Sequence, residues 1–229
     1  MRQLFLTFMK VAKNFYKQSF IIRHKNCFYT ANVFFKFMEV GLYFGSFNPV
    51  HIGHMAIANY MVEYTDLQQI WFVVSPQNPL KAKNTLLADY QRYELVSRAI
   101  GNNIKFRVSS IEFSMPKPSY TIDTLTYISE KYPNHKFSII MGSDNILTLN
   151  KWKNYEQILK YYKIYIYPRS DFQLENVEVK GDFEIANAPQ MEISSSFIRQ
   201  AIKDGKDIPY FMPSEAYKYM REMHFYENK

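Results

Sequence analysis

The chain has 229 residues, and its 47% apolar to 21% charged side chains exclude a disordered protein and call for a packed core. One α/β domain fits that length. The formal charge of +7 is not spread over the chain: residues 1–37 carry Arg2, Lys10, Lys13, Lys17, Arg23, Lys25 and Lys36 with no Asp or Glu, so the rest is formally neutral and gives no compositional reason to expect nucleic acid as a partner.

The leading stretch, residues 1–37, is basic and aromatic without a clean period. Its apolar runs, such as Leu4 to Met9, fall far short of the roughly 20 residues of a membrane span. Neither a secretory signal nor a transit peptide fits it. Met38 directly precedes a strand-like run, so the expected division is a basic extension over 1–37, with the natural start at Met38, and one domain over 38–229. A membrane-surface or partner-binding arm is the other reading of the extension. Cys27 is the single cysteine, so an intrachain disulfide and a multi-cysteine metal site are excluded, and a reducing cytoplasm is the simplest setting.

From Glu39 onward, apolar runs alternate with helix-like segments, the pattern of βα units around a parallel sheet. Strands are predicted over Val40 to Phe44, Ile70 to Val74, Phe106 to Val108, Phe137 to Met141, Ile164 to Tyr167 and Phe183 to Ala186. Their near-continuous Val, Ile, Phe and Tyr content suits strands covered on both faces. Helices are predicted over His51 to Tyr64, Asp89 to Ile100, Thr121 to Lys131, Tyr155 to Tyr161, Ser195 to Lys203 and Ser214 to Met223. Thr121 and Ser214 read as polar N-caps, each followed by an acid in the first turn. No repeat or low-complexity tract interrupts this pattern. Ligands of such sheets bind beyond the carboxyl ends of the strands, where loops meet helix N-termini.

Gly45-Ser46-Phe47-Asn48-Pro49-Val50-His51-Ile52-Gly53-His54 follows the first of these strands and opens the first helix. Gly45 permits close backbone approach, and the helix start presents unpaired N–H groups to phosphate. His51 and His54 share one side of the first turn, with Gly53 keeping the surface between them open. Two imidazoles there are suited to donate to phosphate oxygens as charge moves to a leaving pyrophosphate. Two surface histidines, or a zinc-binding pair, are the alternatives; no Glu lies between them as in a metalloprotease helix. Near the other end, Ile193-Ser194-Ser195-Ser196-Phe197-Ile198-Arg199 offers three hydroxyls at a helix start and a forked cation one turn later. A plain serine cap is its alternative reading.

Together, the Gly45 to His54 string resembles the H-x-G-H signature of the nucleotidyltransferase superfamily, and Ile193 to Arg199 its I-S-S-T-x-x-R signature. Three further segments narrow the resemblance to bacterial nicotinate-nucleotide adenylyltransferases: Pro118-Ser119-Tyr120-Thr121-Ile122-Asp123-Thr124, Met141-Gly142-Ser143-Asp144 and Asn150-Lys151-Trp152. The resemblance covers about residues 39 to 226. It implies a single-domain, doubly wound, Rossmann-like α/β fold and reaction of ATP with nicotinate mononucleotide to give the deamido precursor of NAD and pyrophosphate. ATP would be held by Gly45, Ser46, Phe47, Asn48, His51, Gly53, His54, Ile193, Ser194, Ser195, Ser196 and Arg199, with a magnesium ion accompanying it. His51, His54, Lys81 and Arg199 would stabilise the transferring phosphates. Lys81, Tyr120, Thr121, Asp144 and Trp152 would serve the mononucleotide, Asp144 through ribose hydroxyls or a metal-bound water and Trp152 by stacking on the pyridine ring. An N-cap and a buried anchor remain the other readings of Asp144 and Trp152.

Two positions depart from the family pattern: Ser196 replaces a frequent Thr and keeps the hydroxyl, and Leu80-Lys81 replaces a usual His-Lys pair. Pantetheine-phosphate adenylyltransferase, which shares the two signatures, and a non-catalytic nucleotide sensor on the same fold are the alternative readings. The sequence is compatible with an oligomer.

Overall fold

In a computed structural model, the described residues are 17–24, 27–34, 37–76, 86–169 and 179–228. The chain separates into two units, Met1–Met38 and Glu39–Lys229. In the first unit, β1 (Lys17–His24) and β2 (Cys27–Phe34) pair antiparallel, with Lys17 opposite Phe34 and His24 opposite Cys27. The sequence reading assigned no strand to this stretch.

The second unit is built on six parallel strands. They are β3 (Met38–Gly45), β4 (Gln69–Val74), β5 (Phe106–Ser109), β6 (His135–Gly142), β7 (Ile164–Tyr167) and β8 (Phe183–Ile185), in the order β5-β4-β3-β6-β7-β8. The order runs outward from β3 in one direction and then from β6 in the other, which is the doubly wound topology expected from the sequence. Its switch point lies between β3 and β6.

Side chains alternate across each strand, so one strand feeds two cores. On one face Tyr43, Phe72, Val74 and Ile140 pack with α1 (Ile52–Tyr64), α2 (Asp89–Ile100), α6 (Ser195–Lys203) and α7 (Ser214–Glu222). On the other, Val40, Leu42, Val73 and Met141 pack with α3 (Thr121–Lys131) and α5 (Tyr155–Tyr161). A single-turn helix, α4 (Ser143–Ile146), follows β6 directly. The limits predicted for α2, α3, α5 and α6 coincide with those observed.

The caps differ from the sequence reading. The N-caps of α3 and α7 are Tyr120 and Pro213, so Thr121 and Ser214 are the first helical residues. Extended backbone at Tyr120 (φ −109°, ψ 141°) defines that cap, while the Thr124 hydroxyl donates to the Tyr120 carbonyl. Among the described residues, no helix is long and apolar enough to cross a membrane.

Candidate active site

A cleft of about 1160 Å³ opens at the carboxyl ends of the strands, across the switch point. It is large enough for two substrates side by side, since single-ligand pockets run from about 300 to 1,000 Å³. Every candidate residue named above lines it except Lys81, which, with Leu80, lies outside the described residues.

The first motif forms one wall. A Cβ at Gly45 would stand 2.8 Å from the Phe47 ring, so the chain turns back here only with glycine. Phe47 itself has φ +45°, a left-handed conformation uncommon for a bulky residue and held by its buried ring. That ring packs against Phe72 and edge-on against Tyr43 and His54, the last at 5.1 Å. Phe47 therefore floors the site under His54, and its side chain belongs to the core.

His51 is the N-cap of α1, and its backbone N–H donates to His54 Nδ1 at 3.2 Å. With Nδ1 accepting, the proton of a neutral His54 sits on Nε2, where it is a donor. The two imidazoles lie 3.7 Å apart with an interplanar angle of 32°. A Cβ at Gly53 would come within 3.0 Å of His51 Nδ1, so a side chain there would press on the His51 ring that covers this position. The gap between the histidines is thus filled by His51 itself, a refinement of the open surface expected from the sequence.

Burial, and then the Arg169 guanidinium, lower the His51 pKa to about 4. At neutral pH His51 is a neutral donor or acceptor. The unfolded state binds this proton more tightly, so stability present above about pH 6.5 is lost as pH falls toward 4. Each tenfold difference in proton affinity between the two states is worth about 1.4 kcal/mol, so urea denaturation across that window should show a loss of roughly 3 kcal/mol attributable to this group. His51→Asn should lack that part of the slope; identical slopes in the two proteins would remove His51 as its source.

Arg92, fully buried on α2, braces the loop from below. Its guanidinium donates to the carbonyls of Ser46 (2.6 Å), Ser75 (2.8 Å), Pro76 (3.2 Å) and Leu87 (3.0 Å) and pairs with Asp89 at 2.7 Å. These partners satisfy a charge that burial would otherwise make costly. Nothing in the local pattern of α2 marks Arg92, because four of its acceptors are backbone groups that the fold brings there.

The serine motif meets the first motif from the opposite side. Ser194 caps α6 by accepting from the Phe197 N–H at 3.1 Å, while the Ser195 hydroxyl donates to the Pro49 carbonyl at 2.8 Å. Arg199 donates to the Asn48 carbonyl (2.7 Å) and to the Ser196 hydroxyl (3.1 Å) while lining the cleft. Ile193 packs against the first core. The two signatures, far apart in sequence, are therefore fastened into one surface.

Across the cleft, the N-terminus of α3 carries Tyr120 and Thr121, with the Lys153 ammonium 4.7 Å from the Tyr120 ring centroid. Behind it lies a buried carboxylate the sequence reading missed. Glu112 accepts from the hydroxyls of Ser119 (3.1 Å) and Thr124 (2.8 Å), and burial raises its pKa against those bonds and one from Ser75. Asp144 is exposed in the first turn of α4, 3.4 Å from the Arg169 guanidinium, another basic group absent from the sequence reading. Trp152 is half-buried, packing on the second core while facing the cleft, so anchoring and ligand contact are both open to it. Tyr43, held neutral by burial, donates to the Tyr167 hydroxyl at 3.4 Å on the cleft floor.

Comparison with known proteins places the chain in a family and agrees with its fold. The cytidylyltransferase-like family profile matches residues 42–201. A relative from Flavobacterium johnsoniae named a probable nicotinate-nucleotide adenylyltransferase is 52% identical over 192 residues, spanning 83% of this chain and 100% of the relative. One of the same name from Bacteroides fragilis is 44% identical over 180 residues, 79% of this chain and 90% of its own. Among solved structures, nicotinic acid mononucleotide adenylyltransferase of Plasmodium falciparum complexed with NaAD superposes with a TM-score of 0.69 at 22% identity, covering 82% of this chain and 97% of that one. With both signatures on one cleft and relatives matched over nearly their full length, the chain belongs to the nicotinate-nucleotide adenylyltransferase family of cytidylyltransferase-like proteins.

Proposed function

We propose that the cleft transfers the adenylyl group of ATP to nicotinate mononucleotide, giving deamido-NAD and pyrophosphate, a step of NAD biosynthesis, in a reducing cytoplasm. The observation that carries this reading is that one cleft joins the two histidines and Arg199 on one wall to Tyr120, Thr121, Asp144 and Trp152 on the other. The mononucleotide phosphate is already nucleophilic, so in-line attack on the α-phosphorus needs no protein base and no covalent intermediate. The P–O bond to pyrophosphate breaks as the new phosphoanhydride bond forms.

Catalysis is then positioning plus stabilisation of charge that moves onto the leaving group. His54 Nε2–H is the donor best defined by its surroundings, and neutral His51 stands beside it. Arg199, already braced on Asn48, adds a fixed positive charge, and Lys81 is assigned a second. Gly45, Ser46 and Asn48 contribute backbone beside the phosphates, and the hydroxyls of Ser194, Ser195 and Ser196 border the same space. On the acceptor side, Trp152 and Tyr120 provide aromatic surface for the pyridine ring, and Asp144 an exposed carboxylate for ribose hydroxyls. Among the described residues, no cluster of three or more His, Cys, Asp or Glu forms a cage for a metal ion. A magnesium ion accompanying ATP would supply charge neutralisation at the phosphates, and Asp144 is the carboxylate that would reach a water on it.

Pyrophosphate release with ATP and each acceptor in turn tests the reading. Nicotinate mononucleotide should support turnover. Turnover with phosphopantetheine alone, or ATP binding without turnover, would overturn it. A chain beginning at Met38 should retain both folding and kcat/KM, because β3 starts at that residue and every assigned side chain follows it. Its measured isoelectric point should fall toward neutrality. Loss of folding in that chain would show that residues 1–37 stabilise the domain.

A further inference from the structure

The chain's last turn reaches the nucleotide loop. After α7 the backbone passes through left-handed conformations at His224 (φ +53°) and Tyr226 (φ +65°), both unfavourable for residues with a Cβ. They bring the Tyr226 side chain back under the first motif. There its hydroxyl donates to Asn48 Oδ1 at 2.7 Å, across 178 residues of sequence. The same oxygen accepts from the Leu87 N–H at 3.2 Å, and the Asn48 backbone carbonyl accepts from Arg199.

We infer that Tyr226 is a positioning residue for ATP: its hydroxyl latches the Asn48 side chain and so holds the Phe47 to Pro49 turn, and with it Arg199, in the register that receives the phosphates. The inference rests on the assignment of that wall to ATP. Asn48 is almost fully buried, so its amide serves this bracing, and the ligand meets the backbone and the side chains that the turn presents. Two further carbonyls of the same loop are also fastened: Ser46 by Arg92 and Pro49 by Ser195. Tyr226 supplies the one of these contacts that comes from the chain's C-terminal turn. Burial raises the Tyr226 pKa, against the lowering effect of Arg199 and Arg92, so the phenol stays a neutral donor. Phe225 anchors the turn in the first core beside it, which separates the packing role of this segment from the hydroxyl's role.

The test compares wild-type protein with Tyr226→Phe, which keeps the ring and removes the donor. Loss of one hydrogen bond between neutral groups should raise the ATP dissociation constant, measured by calorimetry without acceptor, roughly 3- to 10-fold. The KM for ATP should rise in step, while the KM for nicotinate mononucleotide stays unchanged and the thermal midpoint falls by no more than the few degrees that one hydrogen bond contributes. In an Asn48→Ala background, Tyr226→Phe should have no further effect on ATP affinity, because the latch is already absent. Unchanged ATP affinity would overturn the inference, as would an equal rise for both substrates with a larger fall in thermal midpoint, since that is the result of lost packing. Because the primary readout is ATP binding alone, failure of the acceptor assignment would leave it interpretable.

Discussion

His54→Ala is expected to lower kcat about 100- to 1000-fold while changing the KM for nicotinate mononucleotide little, the scale seen when one preorganised donor is removed from a developing anion. His54 is held on three sides: the His51 N–H on Nδ1, the His51 ring at 3.7 Å and the Phe47 edge at 5.1 Å. Those contacts fix both ring orientation and tautomer before substrate arrives, so donation from Nε2 costs little reorganisation. Its contact strengthens as negative charge leaves the α-phosphate, which places the effect in the transition state. Steady-state kinetics with both substrates varied checks this. A loss confined to KM would assign His54 to ground-state binding.

Nicotinate mononucleotide should be preferred over its amide by at least roughly 10- to 150-fold in kcat/KM, the worth of one charge-assisted hydrogen bond, with more if two amides engage. The acceptors differ only in a carboxylate against a carboxamide, so discrimination must arise where that group binds. The start of α3 is suited to it, because the first amides of a helix lack intrahelical acceptors and its dipole favours an anion. Lys153 beside Tyr120 adds positive potential, although its ammonium is shared with Asp123 at 2.8 Å. Glu112 opposes it from behind the helix, but burial shifts that carboxyl toward its neutral form and the Ser119 and Thr124 hydroxyls spread its charge. Measuring both acceptors at the same ATP and magnesium concentrations decides the matter. Equal values would mean that this helix start does not read the carboxylate.

The amino-acid sequence by itself determined the order and limits of most helices and strands, and the two signatures of the site. Helix and strand periods, glycine at the Gly45 turn and serines before α6 all act over a few residues, so a linear reading captures them. The doubly wound sheet was expected only through the family resemblance that those signatures carry, and the order of its strands came with the structure. Only the tertiary structure decided what those residues do to one another. The N-cap of α3 moved from Thr121 to Tyr120 because backbone angles, and not a suitable side chain, define the cap. The neutrality of His51 follows from burial and from Arg169, neither visible from its own segment. Arg92, Glu112 and Tyr226 were silent for the same reason. Their partners lie on other elements, up to 178 residues away, and a buried polar group acquires its role only when the fold removes water and leaves protein atoms to replace it.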